Sequence, residues 1–215
     1  MPNTTSLSIH SGLPVYQSGK SIDDAKAAII MIHGRGATAE SILSLASEFT
    51  NKEIAYIAPQ AFQNSWYPFS FLQPIKSNEP YLSSALSVID NLVVQLINKN
   101  YKTENIFLLG FSQGACLTLE YAARNPKKFG GIFGLSGGLI GPPDTPRNYS
   151  GSFNNTTIFL GCSNIDPHIP KERVDETEEV FLKMNASVTK KIYEGMAHTI
   201  IQDEIDFINA ILNSK

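Results

Sequence analysis

One stretch constrains this chain more than any other, the run from Ile106 to Ala115, Ile-Phe-Leu-Leu-Gly-Phe-Ser-Gln-Gly-Ala. Its apolar first half reads as a buried strand. It ends in Gly110-Phe111-Ser112-Gln113-Gly114, and a helix-like segment follows from Ala115 to about Arg124. Strand, tight turn carrying a serine, then helix is the order of a nucleophile elbow. Such a turn strains the backbone of its serine, so the flanking positions must have almost no side chain, which Gly110 and Gly114 satisfy. The helix start then aims free N–H groups at whatever the serine attacks. The competing reading is an ordinary strand-to-helix turn with a capping serine.

The rest of the chain supplies the setting for an elbow. Ala27 to Ile32 is a continuous apolar run, as expected for a parallel strand covered on both faces. It leads into His33-Gly34-Arg35-Gly36, small residues that let a loop approach a reacting centre. Further strands are expected over 54–59, 130–136, 156–162 and 188–193. Helices are expected from about 79 to 99, 171 to 185 and 200 to 212, by apolar spacing and turn signals. Residues 6–17 read as an N-terminal hairpin, with His10 a solvated strand-edge histidine. Strands alternating with helices imply an α/β fold with a mostly parallel central sheet. At 215 residues the chain is expected to be a single domain, 1–215, with no large lid domain.

Between strand 54–59 and the helix near 79 lies a loop rich in aromatics, with Phe62, Trp66, Tyr67, Phe69 and Phe71 broken by Pro68 and Pro74. It is too apolar to lie idle on a surface. It is either a wall of a substrate pocket, with Trp66, Tyr67, Phe69 and Phe71 as the lining, or a satellite core. His168 and Met196, near the other candidate residues, are the remaining pocket candidates.

A serine hydroxyl needs a general base within hydrogen-bond reach, and the base needs an orienting acid. In the chain order serine, acid, histidine, only His168 and His198 follow Ser112. His198 follows a strand and a Gly-containing turn. His168 lies two residues past Asp166 on the loop that should carry the acid. Asp166, just past the penultimate strand, is the expected acid, ahead of Asp144, Asp175, Asp203 and Asp206. Its bland reading is a turn residue before Pro167. The backbone N–H groups of Arg35 and Gln113 are expected to form an oxyanion hole, and His33 to hold its loop through the ring nitrogens.

The motifs His33-Gly34-Arg35-Gly36, Gly110-Phe111-Ser112-Gln113-Gly114-Ala115, Asp166-Pro167-His168-Ile169-Pro170 and Gly195-Met196-Ala197-His198 resemble those of the phospholipase/carboxylesterase family of α/β-hydrolases, which includes acyl-protein thioesterases and small bacterial carboxylesterases. The resemblance runs from about Lys26 to Asn213. It implies a compact serine hydrolase that cleaves carboxylic esters of small to medium acyl chains through an acyl-enzyme, without cofactor or metal. Acyl-thioesterase and lysophospholipase activities are its near alternatives. A non-catalytic ligand-binding protein on the same fold is a further one. The chain departs from the family pattern at Gly161-Cys162-Ser163-Asn164, where members often carry His-Gly ahead of the acid, and at Arg35, where many thioesterases carry leucine. The Arg35 side chain either favours an ester bearing a carboxylate or is a solvated surface charge.

The bulk properties restrict the partners. A hydrophobic content of 42%, a charged content of 17% and a formal net charge of −3 suit a globular protein, and no basic run points to nucleic acid. No apolar run reaches the ~18 residues of a membrane span. The first residues carry no positive stretch followed by an apolar one, so a cytoplasmic location is expected. The partner that the family resemblance implies is a small-molecule ester or thioester, and the sequence leaves the oligomeric state, monomer or homodimer, open. Cys116 and Cys162 fit neither a disulfide framework nor metal spacing and read as buried free thiols.

Overall fold

The computed structural model describes residues 9–214. Seven strands form one sheet: β1 (Val15–Gly19), β2 (Ala27–Ile32), β3 (Ile54–Pro59), β4 (Ile106–Phe111), β5 (Gly131–Leu135), β6 (Thr157–Ser163) and β7 (Ser187–Tyr193). Their spatial order is β1-β3-β2-β4-β5-β6-β7. Among the described residues only β1 runs antiparallel to its neighbour, with Val15 opposite Pro59, and every other pairing is parallel. The helices are α1 (Ala39–Leu43), α2 (Tyr81–Asn98), α3 (Gln113–Arg124), α4 (Lys171–Lys183) and α5 (Gln202–Leu212). None of them is long and apolar enough to cross a membrane.

The continuous apolar run of β2 is explained by its two covers. Alternate side chains of a strand point to opposite faces. Ala28, Ile30 and Ile32 join one cluster with residues of α2, α3 and α4. Ala27, Ile29 and Met31 join the other with residues of α1 and α5. Each fully buried aliphatic side chain contributes about 1.5–3 kcal/mol, so both faces must be apolar for the strand to sit at the centre. α3 is buried from Gln113 to Ala123, which is why its sequence lacks a polar stripe. It is a rigid platform for the residue that precedes it.

The chain leaves β2 for β3 on one side and returns to β4 on the other. The β2–β4 boundary is therefore a switch point, and the crevice at its carboxyl end is where open sheets of this kind place their ligands. The loop after β2 and the turn after β4 both open into that crevice.

Of the first arm of the expected N-terminal hairpin, residues 6–8 lie outside the described residues, and Ile9 and His10 lie in a turn instead of a strand. His10 corrects the expectation of a solvated histidine, being only 2% exposed. Its Nδ1 accepts the Phe62 N–H at 3.0 Å, so its Nε2–H donates to the Trp66 carbonyl at 3.0 Å. Both ring nitrogens are satisfied in one neutral tautomer, and the ring serves to anchor the aromatic loop.

Candidate active site

The turn after β4 has the strained geometry that its sequence predicts. Ser112 has φ 56° and ψ −121°, a region that costs a non-glycine residue free energy. A Cβ on Gly110 would stand 2.3 Å from the Gly114 carbonyl oxygen, and one on Gly114 would stand 2.1 Å from that of Ile32. Real Cβ contacts are never that short, so both positions require glycine. The Ser112 N–H reaches across to the Leu135 carbonyl at 2.9 Å and ties the turn to the end of β5.

Three side chains from distant segments meet at this turn. Ser112 Oγ lies 2.8 Å from His198 Nε2, and His198 Nδ1 lies 2.7 Å from Asp166 Oδ2. The order of partners sets the tautomer: Nδ1–H donates to the carboxylate, and Nε2 accepts from the hydroxyl. Oδ1 of Asp166 accepts the backbone N–H groups of His168 at 2.8 Å and Ile169 at 3.0 Å. Burial alone would push this carboxyl up, but the bonds from His198 and the two backbone N–H groups outweigh it. They hold it below the ordinary carboxylate value. A hydroxyl, imidazole and carboxylate in this order can move the serine proton to Nε2 and stabilise the resulting imidazolium. Phe111 and His168 pack against the His198 ring at 5.0 and 4.9 Å between centroids. Of the other candidate aspartates, Asp175 is engaged with Lys171 and Lys190, and Asp203 with Lys191.

Gln113 is the first residue of α3, where helix geometry leaves the backbone N–H without an intrahelical acceptor. Arg35 faces it on the loop after β2, and both residues line the cavity that contains Ser112. Their side chains converge on one segment. Gln113 Oε1 accepts the Trp66 N–H at 2.9 Å, while its Nε2 donates to the Tyr67 carbonyl at 2.8 Å. Arg35 donates from Nη1 to Ser65 Oγ at 3.1 Å and the Pro68 carbonyl at 2.9 Å, and from Nη2 to the Phe69 carbonyl at 2.8 Å. Next to it, the Gly36 N–H is taken by the Asn64 carbonyl at 2.7 Å. Residues 64–69 are thus laced to both sides of the crevice.

His33 is buried and neutral. Nε2 accepts the Ala61 N–H at 3.1 Å, and Nδ1–H donates to the Gly34 carbonyl at 2.8 Å. Desolvation lowers its affinity for a proton, partly offset by the Gly34 carbonyl. It holds the loop through its ring nitrogens, as expected.

The cavity measures about 480 Å³, within the range of small-ligand sites. Tyr67, Phe69, Phe71 and His168 line it, as the sequence led us to expect. Trp66 does not. It is fully buried, and its Nε1–H donates to the His33 carbonyl at 2.9 Å, so it belongs to the scaffold beneath the wall. Met196 also lies outside the lining, half-buried in the turn ahead of His198. The aromatic loop is therefore both things at once, a pocket wall on one side and a packed core on the other. Cys116, one helical turn past Ser112, lines the cavity unforeseen. Burial pushes its thiol up to about 12, so it lines the site as a neutral group. Buried Asn78 was missed as well. Its amide accepts the Phe69 N–H at 2.9 Å and donates to the Ser70 carbonyl at 3.1 Å, contacts within one irregular loop that no periodicity announces.

Residues 18–215 match the sequence pattern of the family described as Phospholipase/Carboxylesterase. Acyl-protein thioesterase 1 of Saccharomyces cerevisiae is 29% identical over 216 residues, covering 90% of this chain and 95% of that protein. The crystal structure of a phospholipase/carboxylesterase from Dyadobacter fermentans is 44% identical, with a TM-score of 0.91, and the match covers 95% of this chain and 97% of the other. Esterase PE8, at 20% identity and a TM-score of 0.78, shares the α/β-hydrolase fold over 94% of this chain and 98% of its own.

Proposed function

The chain belongs to the phospholipase/carboxylesterase family and is a hydrolase of carboxylic esters, and on that premise we propose that Ser112, His198 and Asp166 are its catalytic triad. The observation that carries this reading is the unbroken line Ser112 Oγ, His198 Nε2, His198 Nδ1, Asp166 Oδ2, with steps of 2.8 and 2.7 Å between side chains. Ser112 Oγ attacks the acyl carbonyl as its proton passes to His198 Nε2. The carbonyl oxygen, now negative, is received by the backbone N–H groups of Arg35 and Gln113. Nε2 returns the proton to the departing alkoxide, which leaves as the alcohol. Water then attacks the acyl-serine by the same proton path, releasing the acid and restoring Ser112. Asp166 stays ionised throughout, which its depressed proton affinity supports. Each oxyanion donor is worth about 10²–10³ in kcat.

The test is covalent labelling. Incubated with a fluorophosphonate, the wild-type protein should gain one adduct by intact mass and Ser112→Ala none. A folded wild type that takes no adduct would sink the triad.

A second reading concerns the leaving group. The thioesterase of Saccharomyces cerevisiae covers nearly the whole chain, which supports thioesters as substrates beside oxyesters. Matched oxyester and thioester pairs with one acyl group separate the two, because only a thioesterase cleaves the sulfur member clearly faster.

A further inference from the structure

The scheme above uses the backbone of Arg35 and leaves its guanidinium unexplained. Arg35 is an exposed residue of the cavity lining, but its guanidinium is fixed rather than free to move. Nη1 and Nη2 are fixed by Ser65 Oγ and the carbonyls of Pro68 and Phe69, and the group lies 5.9 Å from the centre of the Tyr67 ring. All of these partners are neutral. Among the described residues no carboxylate stands within the 4 Å of a salt bridge, so the positive charge is held in place without being compensated. The Nε–H is not engaged by any of these bonds.

The rest of the cavity has the same character. Among the described residues its lining contains no Asp, Glu or Lys, although the chain as a whole carries a net charge of −3. Asp166, the nearest acid of the site, has a side chain that is 0% exposed and turned onto His198. The N-terminus of α3 opens into the same space, and its dipole favours anions as well. The oxyanion accounts for that helix end, whereas nothing in the ester chemistry accounts for the guanidinium. Beside it stand Tyr67, Phe69 and Phe71, an apolar wall for an alkyl or aryl group.

We propose that Arg35 makes this a hydrolase of anionic esters, ones whose acyl or alcohol part carries a carboxylate a few bonds from the scissile bond. The proposal rests on the triad reading. A fixed arginine presents N–H donors to a carboxylate without first losing side-chain freedom. The three bonds to the loop, which look purely structural, are what fix the charge beside Pro68 and Phe69 of the cavity lining.

The test uses paired substrates read by nitrophenolate release. On the acyl side, the 4-nitrophenyl ester of glutaric acid with its free carboxylate is compared with that of its neutral monoamide. On the alcohol side, 3-carboxy-4-nitrophenyl butyrate is compared with 4-nitrophenyl butyrate. In one of the two pairs, kcat/KM for the charged member should be higher by about tenfold at low salt, carried by KM, and the preference should shrink as salt is added. Arg35→Met removes both the charge and the loop bonds, so both members will slow. The charged-to-neutral ratio cancels that shared loss and should fall to about one, while Arg35→Lys keeps part of it. Because Arg35→Met could unseat the loop, the wild type alone gives a second readout. Glutarate should inhibit hydrolysis of the neutral ester at least tenfold better than glutaramide. Equal rates within both pairs together with equal inhibition would overturn the proposal, as would a preference that survives Arg35→Met. If no ester is cleaved and no fluorophosphonate adduct forms, the triad reading fails. If neutral esters are cleaved with neither a charge preference nor selective inhibition by glutarate, only this inference does.

Discussion

Replacing Gln113 by leucine keeps roughly the volume of the side chain and removes its amide. In the native protein that amide accepts from the Trp66 N–H and donates to the Tyr67 carbonyl, and Trp66 and Tyr67 are 0% and 1% exposed. Water has no easy path to either backbone group. A buried polar group left without a partner costs about 1–3 kcal/mol, so two of them set a range of about 2–6 kcal/mol. The loop can shift to recover part of this, which places the expected loss at about 2–4 kcal/mol in urea unfolding. Under the proposed mechanism the kinetic effect has a ceiling, the loss of about 10²–10³ in kcat when a whole oxyanion donor is removed. Gln113→Leu keeps its N–H but frees the loop that braces both sides of the hole. We expect kcat to fall by about tenfold or more with a smaller change in KM. Gln113→Glu sharpens the test. Its carboxylate still accepts from Trp66 but turns a second oxygen toward the Tyr67 carbonyl, which favours the protonated form. Relative to wild type, this variant should therefore gain stability as pH falls. A Gln113→Leu protein with kcat within about twofold of wild type and an unchanged urea midpoint would refute the bracing argument.

Three further outcomes follow from the same geometry. His10 and His33 are held neutral, mainly by burial, with proton affinities below the ordinary histidine value of 6.5. The unfolded chain binds protons first, so their contribution to stability is present above pH 6.5 and declines below it. Urea midpoints that stay level on acidification through that value would contradict this. Glu204 is buried with one carboxyl oxygen unpartnered, and burial raises it to about 7 from 4.5. Its contribution is therefore full below 4.5 and lost as pH rises through about 7, so Glu204→Gln should gain in Tm over wild type between about pH 5 and 8; parallel Tm curves would count against it. Gly114→Ala places a methyl group 2.1 Å from the Ile32 carbonyl oxygen in rigid backbone. It should cost at least about 1–3 kcal/mol and most of the activity, and an alanine variant with wild-type urea midpoint would show that the β2 loop yields more than its packing implies.

The elements that carry the candidate site were readable in the sequence because their signals are local. The apolar run of β4, the glycines beside Ser112 and the helix that follows lie within one short stretch. Each is a demand that neighbouring backbone makes on its own residues. The same holds for β2 and β6, which lead to Arg35 and Asp166 and whose apolar runs report burial on both faces of the sheet, whereas β7, which leads to His198, is an edge strand with two lysines and no buried residue. His10, Trp66 and Met196 were misplaced for the opposite reason. Whether a histidine is solvated or sealed under a loop depends on Phe62 and Ser84, far away in the chain, whose N–H and hydroxyl complete its hydrogen bonds. The aromatic loop could be recognised as unable to stay on the surface, but its sequence has no period that says which rings turn outward.

The sequence by itself determined the α/β alternation, the strained serine turn and the residue types available for a proton relay, since backbone geometry and hydrophobic periodicity act over a few residues. Only the tertiary structure decided that Ser112, His198 and Asp166 stand in line, and that Gln113 and Arg35 grip one loop from two sides. Those are hydrogen bonds between segments 30 to 86 residues apart, and their partners are chosen by the packing of the sheet and helices between them.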